Sequence, residues 1–273
     1  METITVTLAN GRQVAFNVAS PNHGQAFFLL GVRKSGSSMI NAVCESLAQH
    51  NGIHYVDVAG TFFKENVTTN TWNRSPEVNR LLRAGNLYGG FREFPLGFLS
   101  SEVFRRSKKV LLVRDPRDAL VSEYFSNAFS HSIPTQAEGN DEVTQQMSQM
   151  RESALVTPIN EYVLDMAIHM NKTLLEYSMI LEDDSILVFR YESVILNKRK
   201  LIQQICSHFG WKCTDQLVAD ILLGVDLFPK TEDPKSFVRR VLPGDHVRKL
   251  LPDTIARLDQ ILRPSMCLLG YEH

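Results

Sequence analysis

The chain has 273 residues, 44% of them hydrophobic and 22% charged, with a formal net charge of -1. That length supports one sizeable hydrophobic core, and the near-neutral balance excludes a general polycation, so no nucleic-acid partner is expected. The four cysteines, Cys44, Cys206, Cys213 and Cys267, have neither a CxxC pair nor zinc-like spacing with histidine; they read as reduced thiols and no metal site is expected.

The first residues, METITVTLANGRQ, lack the basic region and long apolar stretch of a secretory signal. No apolar run approaches the roughly 20 residues that cross a bilayer. A cytoplasmic location without a transmembrane segment is therefore expected. The alternating runs TITVTL and RQVAFNV flank Ala9-Asn10-Gly11 and predict a β-hairpin within residues 1–20. AFFLLGV then predicts a strand covered on both faces. A turn over 33–38 and a helix, SMINAVCESLAQH, follow it, ending at Asn51-Gly52. IHYVDV completes a strand–helix–strand unit, the building block of a parallel sheet.

Residues 60–86, rich in Asn and Thr, predict a long irregular loop with one short helix, and NLYGGF a further strand. KKVLLVRD predicts a strand running directly into the helix PRDALVSEYFSNAFSH, with Pro116 suited to its first turn. Residues 132–160 are polar and predict a mobile or substrate-facing insertion. EYVLDMAIHMNKTLLEYSMIL predicts a helix, DSILVFRYE a strand and NKRKLIQQICSHFGW a helix. The tail, from about residue 224 on, is marked by the basic cluster FVRRVLPGDHVRK. The whole predicts an α/β fold, with a central, mostly parallel sheet flanked by helices. One domain is expected over 1–273, with its core at 25–250.

The stretch GVRKSGSSMIN resembles a nucleoside-triphosphate loop, G-x-x-x-x-G-K-[ST], whose lysine has moved. Gly31 and Gly36 keep the spacing, but Ser37 stands at the lysine position and Ser38 at the hydroxyl position, while Lys34 lies inside the turn. Backbone N–H groups at the helix start can still cradle an anion. The shifted lysine argues against a standard kinase or ATPase. The same residues also read as a surface turn with a serine-rich helix cap.

In LLVRDPRDALVSEY, Arg114 falls at the end of a strand, where open sheets place ligand groups, and Ser122 follows in the next helix. A guanidinium there can hold a phosphate bidentately, or pair structurally with Asp115 or Asp118. Arg117 and Asp118 read as a local ion pair at the helix start. Arg239 and Arg240, interleaved with Phe237, Val238, Val241 and Leu242, read as part of a segment lying against the body with its arginines directed at something. Two separate anion sites suit a nucleotide with phosphates at both ends of its ribose.

Together these stretches resemble the cytosolic-type sulfotransferases, which use 3'-phosphoadenosine 5'-phosphosulfate as donor. The 5'-phosphosulfate loop K-S-G-[ST]-[ST] is matched by Lys34-Ser35-Gly36-Ser37-Ser38, and the 3'-phosphate motif by Arg114 with Ser122. RRVLPGDH, residues 239–246, matches the late motif R-K-G-x-x-G-D-W, and Tyr191-Glu192 matches a pair near the adenine. The resemblance implies a P-loop-like sulfotransferase fold. It assigns Lys34 to the bridging oxygen, Ser37 and Ser38 to the 5'-phosphate, and Arg114, Ser122 and Arg239 to the 3'-phosphate, with Arg240 and the Gly244 backbone assisting. Three positions depart from the pattern: Met39 replaces a tryptophan that stacks on adenine, Val241 a glycine, and His246 a tryptophan. His246 is expected to be a surface or lid residue.

In the segment that reads K-T-H-L-P in many relatives, this chain has FREFP, residues 91–95. The resemblance therefore implies Glu93 as the general base and Arg92 as a balance for charge on the transferring group. A partly desolvated glutamate suits that task, and no metal is required; an ordinary loop ion pair is the other reading. His131 and His169 are competing bases without supporting spacing. The expected partner is a small-molecule, carbohydrate or lipid hydroxyl acceptor, held by residues 60–90 and 130–160. A divergent kinase or nucleotide hydrolase, or a non-catalytic nucleotide-binding module, are the alternatives. Nothing in the sequence sets the oligomeric state.

Overall fold

A computed structural model describes residues 1–20, 24–133 and 142–271. Alternation builds the first element. In β1 (Glu2–Thr7) and β2 (Gln13–Val18) every second residue of β2 is buried, and the antiparallel register pairs Val6 with Val14. The apolar run that follows is β3 (Phe27–Gly31), buried throughout. Phe28 and Leu30 join the apolar layer on one face of the sheet, Phe27 and Leu29 the layer on the other. That two-sided burial is why the run is continuous rather than alternating.

After β3 come α1 (Ser37–His50), β4 (His54–Asp57), α2 (Val58–Lys64), α3 (Thr69–Trp72), β5 (Asn86–Gly89), α4 (Glu102–Arg106) and β6 (Lys108–Val113). Next are α5 (Pro116–Phe125), α6 (Glu142–Val156), α7 (Ile159–Leu175), β7 (Ile186–Arg190), α8 (Tyr191–Val194), α9 (Lys198–Phe209) and α10 (Asp215–Val225). The chain closes with α11 (Asp245–Lys249) and α12 (Pro252–Leu269). The five-stranded sheet is ordered β4-β5-β3-β6-β7, and every neighbouring pair is parallel. The α/β architecture expected from the sequence is present, with the hairpin beside it. β3 lies at the centre, with β5 and β6 on its two sides. The loops leaving their carboxyl ends converge there, which is where open sheets bind ligands.

One sequence expectation about the elements needs correction. Residues 60–86 are not a long loop with one helix. They hold most of α2, all of α3 and a 3-10 turn over Pro76–Leu81. Phe62 and Trp72 are buried and stacked at 5.0 Å, so two large rings anchor a segment whose polar composition hides any period. The tail holds helices besides its basic cluster. α10 and α12 are amphipathic, and Leu258, Leu262 and Met266 of α12 carry the core past residue 250. Of the predicted insertion at 132–160, α6 is an ordered helix, and residues 134–141 lie outside the described residues.

Candidate active site

The turn between β3 and α1 is held by its own residues. The carbonyl of Val32 accepts both the N–H of Ser35 at 3.1 Å and its hydroxyl at 2.7 Å, so the Ser35 side chain is buried in the turn. Lys34 takes a left-handed φ of 64° and Gly36 one of 90°. An added Cβ on Gly36 would lie 3.1 Å from the Tyr191 ring, so glycine alone fits both the dihedral and the space. The first turn of α1 therefore starts with the N–H groups of Ser37, Ser38 and Met39 lacking helical acceptors. Ser38 is exposed and Met39 half-buried, while Ser37 is buried and its hydroxyl accepts from Arg92. Burial lowers the Lys34 ammonium to about 8, opposed by Glu123 and reinforced by Arg33, Arg92 and Arg114.

The loop carrying Arg92 and Glu93 is pinned to α1 by Asn41, which sequence reasoning did not single out. Its Oδ1 accepts the Gly90 N–H at 3.0 Å and the Tyr55 hydroxyl at 2.9 Å, and its Nδ2 donates to the Ser37 carbonyl at 2.7 Å. The available signal was its place four residues after Ser37, on the same helical face. Gly90, at φ 83°, approaches so closely that a Cβ there would sit 2.0 Å from Asp57 Oδ1. Glu93 lines a cavity of about 410 Å³ together with Arg33, Tyr162 and His169. Arg33, also missed, pairs with the buried Glu123 at 2.8 Å. His169 thus shares a cavity with Glu93. His131 does not line that cavity but lies close to the same basic groups: partial loss of water and the charges of Lys34, Arg33, Arg92 and Arg151 lower it to about 4.

A second basic site forms at the end of β6. Arg114 is buried, its guanidinium lies 4.5 Å from the Tyr191 ring centre, and it donates to the Lys34 carbonyl at 3.1 Å. Its Nε is buried without a hydrogen-bond partner among the described residues. Tyr191 in turn donates its hydroxyl to the Val241 carbonyl at 2.7 Å, so one ring touches the phosphate-type loop, Arg114 and the late basic segment. Its neighbour Glu192 accepts the Asp115 N–H at 2.9 Å and the Tyr271 hydroxyl at 2.7 Å. Ser122 is half-buried on α5.

Asp118 organises this site, and the expectation of a helix-start pair with Arg117 is corrected. Arg117 pairs instead with Asp115 at 2.6 Å and Asp259 at 2.8 Å. Asp118 accepts the Gly244 N–H at 2.8 Å, the His246 N–H at 2.9 Å and faces His246 Nδ1 at 2.6 Å, with Arg114 at 3.6 Å. Burial alone would raise its carboxyl. The His246 side-chain bond, Arg114 and the His246 N–H more than offset this and hold it well below the usual carboxylate range. His246 is accordingly buried, not a surface or lid residue, because its ring completes the Asp118 shell. The Gly244 N–H is committed to the same carboxylate. Arg239 is buried, pairs with Glu232 and Asp245, and lies 4.2 Å from the Phe125 ring centre. Arg240 Nε stands 3.5 Å from Asp245.

Among the described residues no cluster of His, Cys, Asp or Glu is placed to hold a metal, and no helix is long and apolar enough to cross a membrane. Comparison with known proteins gives a family match: the model described as sulfotransferase domain covers residues 25–270. No curated protein matches the chain. Among solved structures, mouse sulfotransferase SULT7A1 complexed with PAP is similar at 15% identity and a TM-score of 0.57, over 93% of this chain and 91% of that one. Retinol dehydratase in complex with retinol and PAP is similar at 14% identity and a TM-score of 0.52, over 97% and 90%. At such identities the likeness is one of fold.

Proposed function

Because the chain belongs to the sulfotransferase domain family, we propose that it transfers the sulfuryl group of 3'-phosphoadenosine 5'-phosphosulfate to an acceptor hydroxyl. One observation carries the assignment of roles. Two consecutive residues face two sides: Arg92 reaches Ser37 at the start of α1, and Glu93 lines the adjoining cavity. Phosphate chemistry on one side and a bound hydroxyl on the other would meet between them.

The donor supplies an activated sulfuryl group; the chain's residues do the rest. Glu93 takes the proton of the acceptor hydroxyl as the new oxygen–sulfur bond forms and the bond to the 5'-phosphate oxygen breaks. Lys34 donates to that departing oxygen, and Arg92 balances charge on the transferring group. The Ser37, Ser38 and Met39 N–H groups and the Ser38 hydroxyl hold the 5'-phosphate. Arg114, with its unpartnered buried Nε, holds the 3'-phosphate with Ser122 and Arg239. Arg239 exchanges its Glu232 and Asp245 partners for that phosphate, with Arg240 beside it. Tyr191 aligns Gly36 and Arg114, Met39 gives the adenine an apolar neighbour, and Ser35 and Gly244 act by shaping their turns. This chemistry needs no metal.

Calorimetric titration with adenosine 3',5'-bisphosphate in EDTA is expected to give micromolar or tighter binding, lost when the 3'-phosphate is removed. Binding of ATP alone, dependent on magnesium, would instead put the phosphotransfer reading first.

Lys34 gives that titration a pH dependence. Its charged form binds phosphate, and with the free group at about 8 the ammonium is present at pH 7 and largely lost at pH 9. Affinity is therefore expected to fall about tenfold between those values. Lys34→Arg, which keeps its charge, is expected to flatten the profile. A pH-independent affinity in the wild type would remove Lys34 from the phosphate.

A further inference from the structure

We propose that the acceptor is an uncharged, multiply hydroxylated molecule of mono- or disaccharide size; the proposal rests on the transfer reaction above and narrows it. The cavity beside Glu93, at about 410 Å³, falls within the range of small-ligand sites. Its lining departs from the usual one, which is mostly apolar with a few polar groups. Here Gln146, Gln149 and Ser153 stand on one face of α6, at positions i, i+3 and i+7, opposite Thr69 and Asn70 of α3. These rim residues are exposed or half-exposed, so the cleft is open and its rim is built of amides and hydroxyls, with about half of the whole lining polar.

Amides and hydroxyls donate and accept hydrogen bonds at once, as sugar hydroxyls do. A steroid, phenol or lipid alcohol would displace water from these groups and return hydrogen bonds from its single hydroxyl alone, and the open walls could not enclose its apolar surface. The charges in the cleft also point to a neutral ligand. Arg33 is already engaged by the buried Glu123, and a second carboxylate there, Glu93, disfavours an anionic acceptor. Met150, Met166 and Tyr162 supply apolar surface on which the C–H face of a sugar ring rests. The Tyr162 hydroxyl accepts from Asn127 at 2.8 Å, which holds that ring in place.

The test is direct binding, read by saturation-transfer NMR on the intact protein with methyl glucoside, methyl galactoside and lactose, set beside 1-naphthol and decanol. At least one saccharide is expected to give saturation transfer, and the Gln146→Leu/Gln149→Leu variant to weaken it about tenfold. Both substitutions lie on an exposed helix face, and leucine keeps the helix propensity of glutamine. Binding of naphthol or decanol without any saccharide would overturn the inference. So would saccharide binding unchanged in the variant, or no binding by any probe. Donor binding is scored separately with the bisphosphate, so failure there counts against the transfer reaction and failure here against the acceptor class.

Discussion

Glu93→Gln is expected to lower turnover about 10²- to 10⁴-fold while leaving bisphosphate affinity nearly unchanged, the usual scale for loss of a general base. The substitution keeps the side-chain volume in the cavity wall and leaves the Arg92 contact with Ser37 in place. It removes only the ability to take a proton. Steady-state transfer from labelled donor, with calorimetry on the same variant, separates the two quantities. His169 lines the same cavity and is the natural rival. Near-normal turnover in Glu93→Gln, with collapse in His169→Ala, would move the role to the histidine.

Asp118→Ala is expected to cost about 3–5 kcal/mol, the scale of breaking a buried ion pair from one side. For a chain of this size that is a fall in Tm of roughly 6–20 °C. Asp118 is 1% exposed, and its removal strands the Gly244 and His246 N–H groups, the His246 ring and one side of Arg114 at once. Bisphosphate affinity is expected to fall as well, because the segment bearing Arg239 is tied to α5 through this carboxylate. Calorimetric melting checks the first effect and titration below the new Tm the second. A Tm within a degree or two of the wild type would show that the shell closes without Asp118. The sign in pH follows from its depressed carboxyl. Its contribution is complete above the unfolded value of about 3.9 and is lost as pH falls below it.

The sheet strands were readable because each is a short apolar run with a local cause: β3 and β6 are buried on both faces, and the hairpin alternates. The phosphate-type turn was readable because its spacing is local too. What stayed hidden depends on contacts between distant residues. Asp118 and His246 are an ordinary acid and histidine in the sequence, and become one unit only where the start of α5 meets the late basic segment. The helices of 60–86 were hidden for another reason: Phe62 and Trp72 stabilise them through ring stacking that leaves no helical period. Asn41 likewise looks like any polar residue on a helix until Gly90 folds against it.

The hairpin lies outside the span that matches the family, 25–270, yet its burial is handed inward along a row of rings. Phe16 meets Phe62 at 5.0 Å, Phe62 stacks on Trp72 at 5.0 Å, and Trp72 reaches Phe91 at 6.3 Å, one residue before Arg92. Arg12, between the hairpin strands, donates to the carbonyls of Asn66 and Glu65 just ahead of α3. A boundary drawn by sequence likeness therefore cuts through a single packing unit. Trimming the chain to the matched span would loosen the wall that carries Thr69 and Asn70 before it touched the phosphate side, so the hairpin is a splint for the acceptor half of the site.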